Sequence, residues 1–313
     1  MMSKLRQIKH LFEYAGVLFL ACLATWLPFP VLQKIGRGLG WFAFHVVRIR
    51  RGVTMDNLQR AFPEKSPMEI VRLAESTYRQ FGMMMLETLR LLTIEPEEVQ
   101  RLIEVETYRA LDDARAAGRG AILLTGHMGN WEYLGAWVAI NGYSTAFMFQ
   151  EQANPYVNRL IRQYRERMGM DVVPRGMALR SYMKALREGR FVAAVADQDA
   201  GKNGVMVSFM GKLASTATGP ARFALKTGAP IIFAISYRDP SGRLKGRFEP
   251  LDVQIQAGED SEAIRQIMEA YNRQMETWIR TYPDQWFWMH RRWKTQPESN
   301  RQSQSATAMS VTS

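Results

Sequence analysis

Beyond Gly118, short apolar runs alternate with segments of helical periodicity, and this alternation restricts the possible folds more than any other feature. Four apolar runs have the length of strands: AILLT (121–125), STAFMF (144–149), FVAAVA (191–196) and PIIFAIS (230–236). Helical patterns lie between and after them, near Trp131–Ile140, Pro155–Met168, Met177–Leu186 and Gly219–Lys226. Strands separated by helices of this length predict an α/β fold, with a mostly parallel central sheet flanked by helices. We also expect an edge hairpin of residues 243–248 and 251–255, and a last amphipathic helix over residues 260–281.

The N-terminal region is the most apolar part of the chain. Leu11 to Leu27 read LFEYAGVLFLACLATWL, and a second apolar stretch runs from Leu39 to Val47. A membrane-spanning helix needs about 20 apolar residues, so the first run either crosses a bilayer or turns back at the following Pro-Phe-Pro. We therefore predict a membrane-associated helical segment over residues 1–50, with a buried core helix as the alternative. Basic residues are more numerous after the run than before it, which predicts that the bulk of the chain is cytoplasmic.

The rest of the chain divides by composition into three parts. Residues 51–118 are predicted to be helical, because Ser66-Pro67-Met68-Glu69 is a helix-start signal followed by apolar residues at helical spacing. Residues 119–296 carry the strand and helix alternation of the α/β core. Residues 297–313 are polar and rich in serine and threonine, and we expect them to be disordered.

The charge balance favours anionic partners. Lysine and arginine number 41 against 30 acidic residues, a formal net charge of +11. Such a surplus suits an acidic membrane surface, a phosphorylated lipid or an acidic protein. Nucleic acid is a poor candidate, since the basic residues are spread along the chain and no recognised nucleic-acid-binding motif is present. The single cysteine, Cys22, excludes a disulfide framework within the chain.

The candidate site lies where the predicted strands end, because ligands of open α/β sheets bind beyond the carboxyl ends of the strands. The first run ends in Thr-Gly-His-Met-Gly-Asn-Trp-Glu, residues 125–132. Two glycines bracket His127, Asn130 can cap the next helix, and Glu132 falls in its first turn. A neutral imidazole can take a proton from an attacking hydroxyl, and a carboxylate on its other ring nitrogen would fix the tautomer. His127 is therefore a candidate general base, although a lone histidine at a strand end is as often a structural hydrogen-bonding group.

Further candidates follow the other runs. Asp197, after the third run, competes with Glu132 for the role of orienting His127, and Asp199 would face the same crevice. Arg159 could stabilise an oxyanion, or could lie on a solvated helix face. No Gly-x-Ser-x-Gly nucleophile motif and no His/Cys cluster with metal-ligand spacing occurs, so the sequence gives no sign of a serine nucleophile at such a turn or of a metal site.

Five blocks in the chain together resemble the bacterial lipid A biosynthesis acyltransferases, the late lauroyl and myristoyl transferases. The blocks are ILLTGHMGNWE (122–132), NPYVNRLIRQYRERMG (154–169), VADQDAG (195–201), STATGPARFALKTGAPI (215–231) and PDQWFWMHRRWKTQP (283–297). The resemblance implies an α/β core similar to that of glycerolipid acyltransferases, a membrane-associated N-terminus, and acyl-acyl carrier protein as the donor. It implies that His127 and Glu132 are the catalytic histidine and acid. Arg159 and Asp197 fall in the second and third blocks.

The reaction expected from this resemblance is direct acyl transfer at the cytoplasmic side of the cell inner membrane. A hydroxyl of a lipid A precursor attacks the donor thioester while His127 removes its proton, with no cofactor and no metal. Asn130, Asp199 and Arg222 are candidate substrate contacts, and Arg222 lies near a helix start that could receive a phosphate. Two alternatives stay open. One is the same chemistry on another glycolipid or a lysophospholipid, and the other is a non-catalytic protein that binds anionic lipid.

Overall fold

The computed structural model describes residues 4–149, 151–174, 178–253 and 259–296. The helices are α1 (Lys4–Trp26), α2 (Phe29–Phe42), α3 (Arg51–Ala61), α4 (Pro67–Leu91), α5 (Pro96–Leu102), α6 (Arg109–Ala116), α7 (Trp131–Ile140), α8 (Pro155–Arg167), α9 (Ala178–Arg187), α10 (Gly219–Thr227) and α11 (Asp260–Thr281). The strands are β1 (Ile103–Thr107), β2 (Ile122–Thr125), β3 (Thr145–Phe149), β4 (Asp171–Pro174), β5 (Phe191–Val195), β6 (Val205–Phe209), β7 (Lys212–Thr216), β8 (Ile231–Arg238) and β9 (Leu244–Pro250). A short π-helix, Ala43–Val47, follows α2.

The central sheet has seven strands in the order β1-β9-β8-β2-β5-β3-β4. β2 lies at its centre and pairs in parallel with β5 on one side and β8 on the other. β3 pairs in parallel with both β5 and β4. The buried strands are near-continuous apolar runs because helices cover both faces of the sheet. This confirms the predicted α/β fold with a mostly parallel sheet, and the predicted last helix ends at the expected residues.

The predicted edge hairpin is wrong. β9 pairs antiparallel with β8, which precedes it, and parallel with β1, so both of its edges are occupied within the sheet. The chain reverses earlier than expected, at residues 239–242, where the amide of Asp239 donates to the carbonyl oxygen of Arg243 at 3.0 Å. The second half of the predicted hairpin is irregular over residues 251–253, and residues 254–255 lie outside the described part.

The N-terminal region forms separate helices rather than one. α1 ends at Trp26, and Pro28 occupies the N-cap position of α2. α2 crosses α4 at very short distance through glycines: a Cβ on Gly40 would lie 2.1 Å from the carbonyl oxygen of Tyr78. α4 begins with the expected capping box of Ser66 and Glu69. Among the described residues one helix, over residues 6–26, is long and apolar enough to cross a membrane, with mean hydropathy 1.4.

Residues 51–118 are not entirely helical, since β1 belongs to the central sheet. Its sequence, IEVET, alternates apolar and polar residues as a half-buried edge strand does, and this pattern could have been recognised. The predicted domain boundary at residue 119 therefore separates β1 from the sheet to which it belongs. The tail predicted to be disordered, residues 297–313, lies outside the described residues.

Candidate active site

His127 and Asp197 meet at the carboxyl edge of the central sheet. β2 ends two residues before His127, and β5 ends two residues before Asp197. Because these strands are parallel neighbours, both side chains reach the same place. The Nδ1 atom of His127 lies 2.8 Å from Oδ1 of Asp197, and the backbone amide of His127 donates to Oδ2 at 2.6 Å. The carboxylate therefore holds both the ring and the backbone of the histidine.

Glycines on each side of His127 allow this close approach. A Cβ on Gly126 would lie 2.9 Å from Oδ2 of Asp197. Gly129 has φ +59°, and a Cβ there would lie 2.4 Å from the carbonyl oxygen of Ser236. Any larger residue would push the turn away from the carboxylate or from β8.

The C-terminal segment completes the support of this turn. The indole Nε1 of Trp286 donates to Oδ2 of Asp197 at 2.7 Å. The amide of Phe287 donates to the carbonyl oxygen of His127 at 2.9 Å, and the amide of Gly129 donates to that of Gln285 at 3.0 Å. The sequence WFWMHRRWK (286–294) mixes aromatic and basic residues, a pattern compatible with membrane headgroup contact or with core packing. Its tryptophans are buried, Trp286 and Trp288 at 2% and 0% exposure, so they pack in the core.

The two titrating groups stabilise each other in charged form. Burial disfavours a charged His127, but the charge of Asp197 and its hydrogen bond outweigh burial and raise the pKa of the imidazole above 6.5. Burial likewise disfavours an ionised Asp197, which is 1% exposed. The charge of His127 and the hydrogen bonds that the carboxylate accepts outweigh burial, and they lower the pKa of Asp197. An ionised Asp197 fixes a neutral His127 as the Nδ1–H tautomer, with its Nε2 lone pair 3.5 Å from the side-chain amide nitrogen of Gln198.

A mostly apolar cavity of about 240 Å³ opens beside His127. Its polar wall consists of His127, Thr125, Glu132 and Arg165. Its apolar wall comes mainly from the sheet and from α7, including Leu123, Leu134, Val138, Phe147, Ala234 and Phe248, and also from Met170 between α8 and β4. A flexible hydrocarbon chain matches such a lining, with its reactive end at the histidine.

Glu132 lies at the mouth of this cavity rather than on the Nδ1 atom of His127. It occupies the first turn of α7, and its carboxylate lies 3.8 Å from the guanidinium of Arg165 on α8. The charge of Glu132 also raises the pKa of His127, but by less than the charge and the hydrogen bond of Asp197 do. Sequence reasoning could not rank Glu132 against Asp197, and the geometry gives the orienting position to Asp197. Arg159 lies two turns earlier on α8, and its side chain is exposed and does not line this cavity.

The three candidate substrate contacts, Asn130, Asp199 and Arg222, each bond to different residues. Asn130 is fully buried, caps α7 by accepting from the amide of Tyr133 at 3.3 Å, and donates to Glu87 at 3.0 Å. These contacts make Asn130 a structural residue of the turn. Asp199 accepts from the amide and hydroxyl of Thr295 at 3.1 and 3.0 Å, so it fastens the C-terminal segment. Arg222 is exposed on α10, where its Nε donates to Thr218 at 3.2 Å.

Sequence reasoning missed a buried ion pair behind the turn. Glu87 of α4 is 0% exposed and binds Arg238 of β8 through Nη2, at 2.7 and 2.9 Å to its two oxygens. Glu87 also accepts from Gln33 of α2 at 3.1 Å and from Asn130. The pair thereby connects α2, α4, β8 and the turn that carries His127.

His290, in the last of the five sequence blocks, also lies close to the site. Its Nε2 accepts the backbone amide of Asp199 at 3.0 Å. Burial lowers the pKa of His290, which keeps it neutral as this bond requires. It is a fixed structural acceptor, and the sequence pattern around it carried no signal of that contact.

The fold and the site define an α/β protein with a histidine–carboxylate pair at the mouth of an apolar cavity, suited to deprotonating a hydroxyl beside a lipid-like chain. The family described as bacterial lipid A biosynthesis acyltransferase matches this chain over residues 1–295. The chain therefore belongs to that family.

Three similar proteins are also named as acyltransferases. The lipid A biosynthesis lauroyltransferase of Escherichia coli (strain K12) is 28% identical over 285 residues, which cover 90% of each chain. The lipid A biosynthesis acyltransferase of Haemophilus influenzae is 28% identical over 299 residues, 91% of this chain and 93% of that protein. The phosphatidylinositol mannoside acyltransferase of Mycolicibacterium smegmatis is 26% identical over 250 residues, 78% of this chain and 79% of that protein.

Proposed function

We propose that this protein moves a fatty acyl chain from acyl-acyl carrier protein to a hydroxyl of a lipid A precursor in lipopolysaccharide biosynthesis, with His127 as the general base. The observation that carries the proposal is the His127–Asp197 pair at the mouth of the apolar cavity. Nδ1 of His127 is engaged by Asp197 at 2.8 Å, so the substrate would meet Nε2, whose neighbour in this structure is the amide nitrogen of Gln198 at 3.5 Å.

The proposed reaction is a single displacement at the donor's thioester. Nε2 of His127 takes the proton of the acceptor hydroxyl as its oxygen attacks the carbonyl carbon. Asp197 stabilises the imidazolium that forms. As the carbon–sulfur bond breaks, the phosphopantetheine thiolate leaves and takes the proton back from the imidazolium. Arg165 lines the cavity and is better placed than the exposed Arg159 to stabilise the oxyanion.

The cavity beside His127 is the proposed site of the donor's acyl chain. Gly135 on α7 is one of its lining residues, and a Cβ there would lie 3.2 Å from the ring of Phe147 and 3.7 Å from Cε of Met170. A larger side chain at this position would project into the cavity and exclude the distal carbons of a long chain.

Gly135→Leu is therefore expected to shorten the preferred donor. Each methylene of the acyl chain that is no longer buried in the cavity loses about 0.8 kcal/mol of binding free energy. Excluding two methylenes therefore lowers the rate with the longest accepted chain by roughly tenfold. A competition among acyl carrier proteins loaded with chains of different length measures this, with Gly135→Ala as the graded control. An active Gly135→Leu enzyme with the wild-type chain preference would contradict the assignment of the cavity.

The pH dependence follows from the raised pKa of His127. The base must be neutral, so kcat/KM is expected to fall as the pH drops through the folded-state pKa, which lies above the ordinary 6.5. Glu132→Gln removes one of the charges that raise this pKa and should move the acidic limb to lower pH. Rate profiles of both proteins between pH 5 and pH 9 test the shift, and a limb that moves upward in Glu132→Gln would contradict it.

The basic surplus suits the proposed partners. Acyl carrier proteins are acidic and lipid A precursors carry phosphates, so both would be attracted to a chain of net charge +11. We place the protein at the cell inner membrane, with its catalytic part cytoplasmic, where both substrates meet. The second acceptor to consider is another glycolipid, since relatives of this chain are named phosphatidylinositol mannoside acyltransferases.

A defined transfer assay tests the proposal. Membranes containing the wild-type protein receive labelled acyl-acyl carrier protein and a tetra-acylated lipid A precursor, and the lipids are read by mass spectrometry. Parallel reactions offer acyl-coenzyme A as donor, or a mannosylated phosphatidylinositol or a lysophospholipid as acceptor. A mass gain of one acyl chain on the lipid A precursor is expected. Transfer to another acceptor alone would assign the protein to that substrate class. Binding of lipid without transfer to any acceptor would favour the non-catalytic alternative.

A further inference from the structure

α1 is fastened to the catalytic part of the protein at both of its ends. Near its start, Nδ2 of Asn154, at the beginning of α8, donates to the carbonyl oxygen of His10 and to Glu13, each at 2.8 Å. Near its end, Nη1 of Arg90 on α4 donates to the carbonyl oxygens of Ala24 and Leu27, at 3.0 and 2.7 Å. These hydrogen bonds attach α1 to α8 near its start and to α4 near its end.

The inner face of α1 is part of the protein core. His10, Ala21 and Ala24 are 6%, 0% and 2% exposed and recur at helical spacing. Ala21 belongs to the same buried cluster as Leu160 of α8 and Leu91 of α4. α1 is thus one of the helices that cover the catalytic core, rather than a free anchor that precedes it.

This attachment conflicts with a helix that crosses the bilayer. The two fastened points, His10 and Ala24, are about 21 Å apart along the helix at about 1.5 Å per residue, and the hydrocarbon layer is about 30 Å thick. A spanning α1 would place both points, together with the neighbouring turns of α8, within or beside the hydrocarbon. α8 carries exposed guanidinium groups at Arg159 and Arg162, and charges at that depth are costly.

The outer face of α1 is apolar and exposed, and α2 with the π-helix after it has exposed apolar side chains as well. On α1 the exposed large apolar side chains include Phe12, Phe19 and Trp26. On α2 and the π-helix they include Ile35, Leu39 and Val46. Lys34 and Arg37 are exposed on α2, and Arg48 is exposed directly after the π-helix. Apolar side chains with basic groups beside them are the pattern of helices that lie in a membrane interface and contact anionic headgroups.

We propose that the protein is monotopic: α1 and α2 lie in one leaflet of an anionic bilayer by their outer faces, and both ends of α1 stay on the same side as the catalytic part. This inference rests on the membrane association included in the proposed function. It adds that the catalytic part, with the His127 cavity, lies against the leaflet and is not attached to the membrane by a spanning helix.

Cysteine labelling of topology tests the proposal independently of catalysis. In a Cys22→Ser background, which removes the chain's single cysteine, Ser3→Cys reports the sequence before α1 and Glu64→Cys reports the exposed turn before α4. A membrane-impermeant maleimide is applied to intact and to lysed bacterial spheroplasts. The expected result is that the two positions react alike, both only after lysis. Opposite behaviour, with Ser3→Cys reacting in intact spheroplasts and Glu64→Cys protected, would overturn the proposal, as would recovery of the protein outside the membrane fraction.

Vesicle flotation tests the contribution of α2, which a spanning α1 would make dispensable. Leu39→Glu and Val46→Glu place a charge on exposed positions, so folding should be unaffected. Each is expected to lower partitioning onto vesicles containing phosphatidylglycerol by about tenfold, the loss that follows from withdrawing one large apolar side chain. Leu213→Glu, at an exposed leucine of β7, is the matched control and should bind as wild type. Unchanged flotation of both variants, Leu39→Glu on α2 and Val46→Glu on the π-helix that follows it, would contradict the monotopic arrangement even if acyl transfer were intact.

Discussion

Asp197→Asn is expected to lower kcat by on the order of 10³–10⁴-fold while leaving the fold intact. Oδ2 of Asp197 accepts from two N–H groups, the His127 amide and the Trp286 indole. The asparagine oxygen would therefore keep that position, and its NH₂ group would face Nδ1 of His127. Nδ1 must then accept, which forces the proton onto Nε2, the nitrogen that has to take the proton of the acceptor hydroxyl. The variant also loses the negative charge that stabilises the imidazolium.

Single-turnover transfer measured with Asp197→Asn, together with its melting temperature, checks this result. Asp199→Asn is the matched control, because Asp199 bonds Thr295 and Gly201 and not His127. Asp199→Asn should keep kcat within a few-fold of wild type. Equal loss in the two variants would mean that the carboxylates only hold the loop, and near-normal turnover by Asp197→Asn would remove Asp197 from the mechanism.

Glu87→Ala is expected to cost about 3–5 kcal/mol of stability, the largest effect predicted for the fold. Glu87 is 0% exposed and neutralises the guanidinium of Arg238, which is 6% exposed. Removing the carboxylate leaves a buried positive charge without its partner and also releases the amides of Gln33 and Asn130. Because Asn130 caps α7 beside His127, the transfer rate should fall together with stability.

Denaturant unfolding in detergent measures the change in free energy. The double variant Glu87→Leu/Arg238→Met replaces both charges by apolar groups and is expected to recover much of the loss, since a buried pair is costly mainly when broken. A destabilisation of Glu87→Ala below about 1 kcal/mol would show that water or other groups already compensate Arg238. A double variant as unstable as Glu87→Ala would place the cost in the lost packing instead.

The fold could be predicted because its signal is local. Runs such as 121–125 and 191–196 are apolar and of strand length, and the helices between them have clear start and stop residues. β9 was placed in the wrong pairing because strand partners depend on where the chain reverses, and the reversal at residues 239–242 competed with a plausible later one. Sequence reasoning named Asp197 because it follows a strand. It could not rank Asp197 above Glu132, since the adjacency of β2 and β5 is a property of the folded sheet.

The contacts that sequence reasoning missed join residues far apart in the chain. Trp286 is 89 residues from Asp197, and Arg238 is 151 residues from Glu87. Glu87 lies in a long amphipathic helix, where a glutamate usually belongs to the solvated face, and Trp286 lies in a segment whose aromatic and basic residues also suit a membrane interface. The local sequence around Glu87 or Trp286 does not indicate which residue it bonds, so these bonds are seen only in the folded chain.

The most direct test of the central claim is the transfer rate of His127→Ala in the assay with acyl-acyl carrier protein and the tetra-acylated lipid A precursor. General-base catalysis is worth roughly 10²–10⁴-fold, so the variant should lose at least that much activity while remaining in the membrane fraction at the wild-type level. Loss of transfer with normal abundance and normal melting temperature is the predicted result. Acyl transfer by His127→Ala at a rate near that of wild type would contradict the account of the site, whatever acceptor the protein uses.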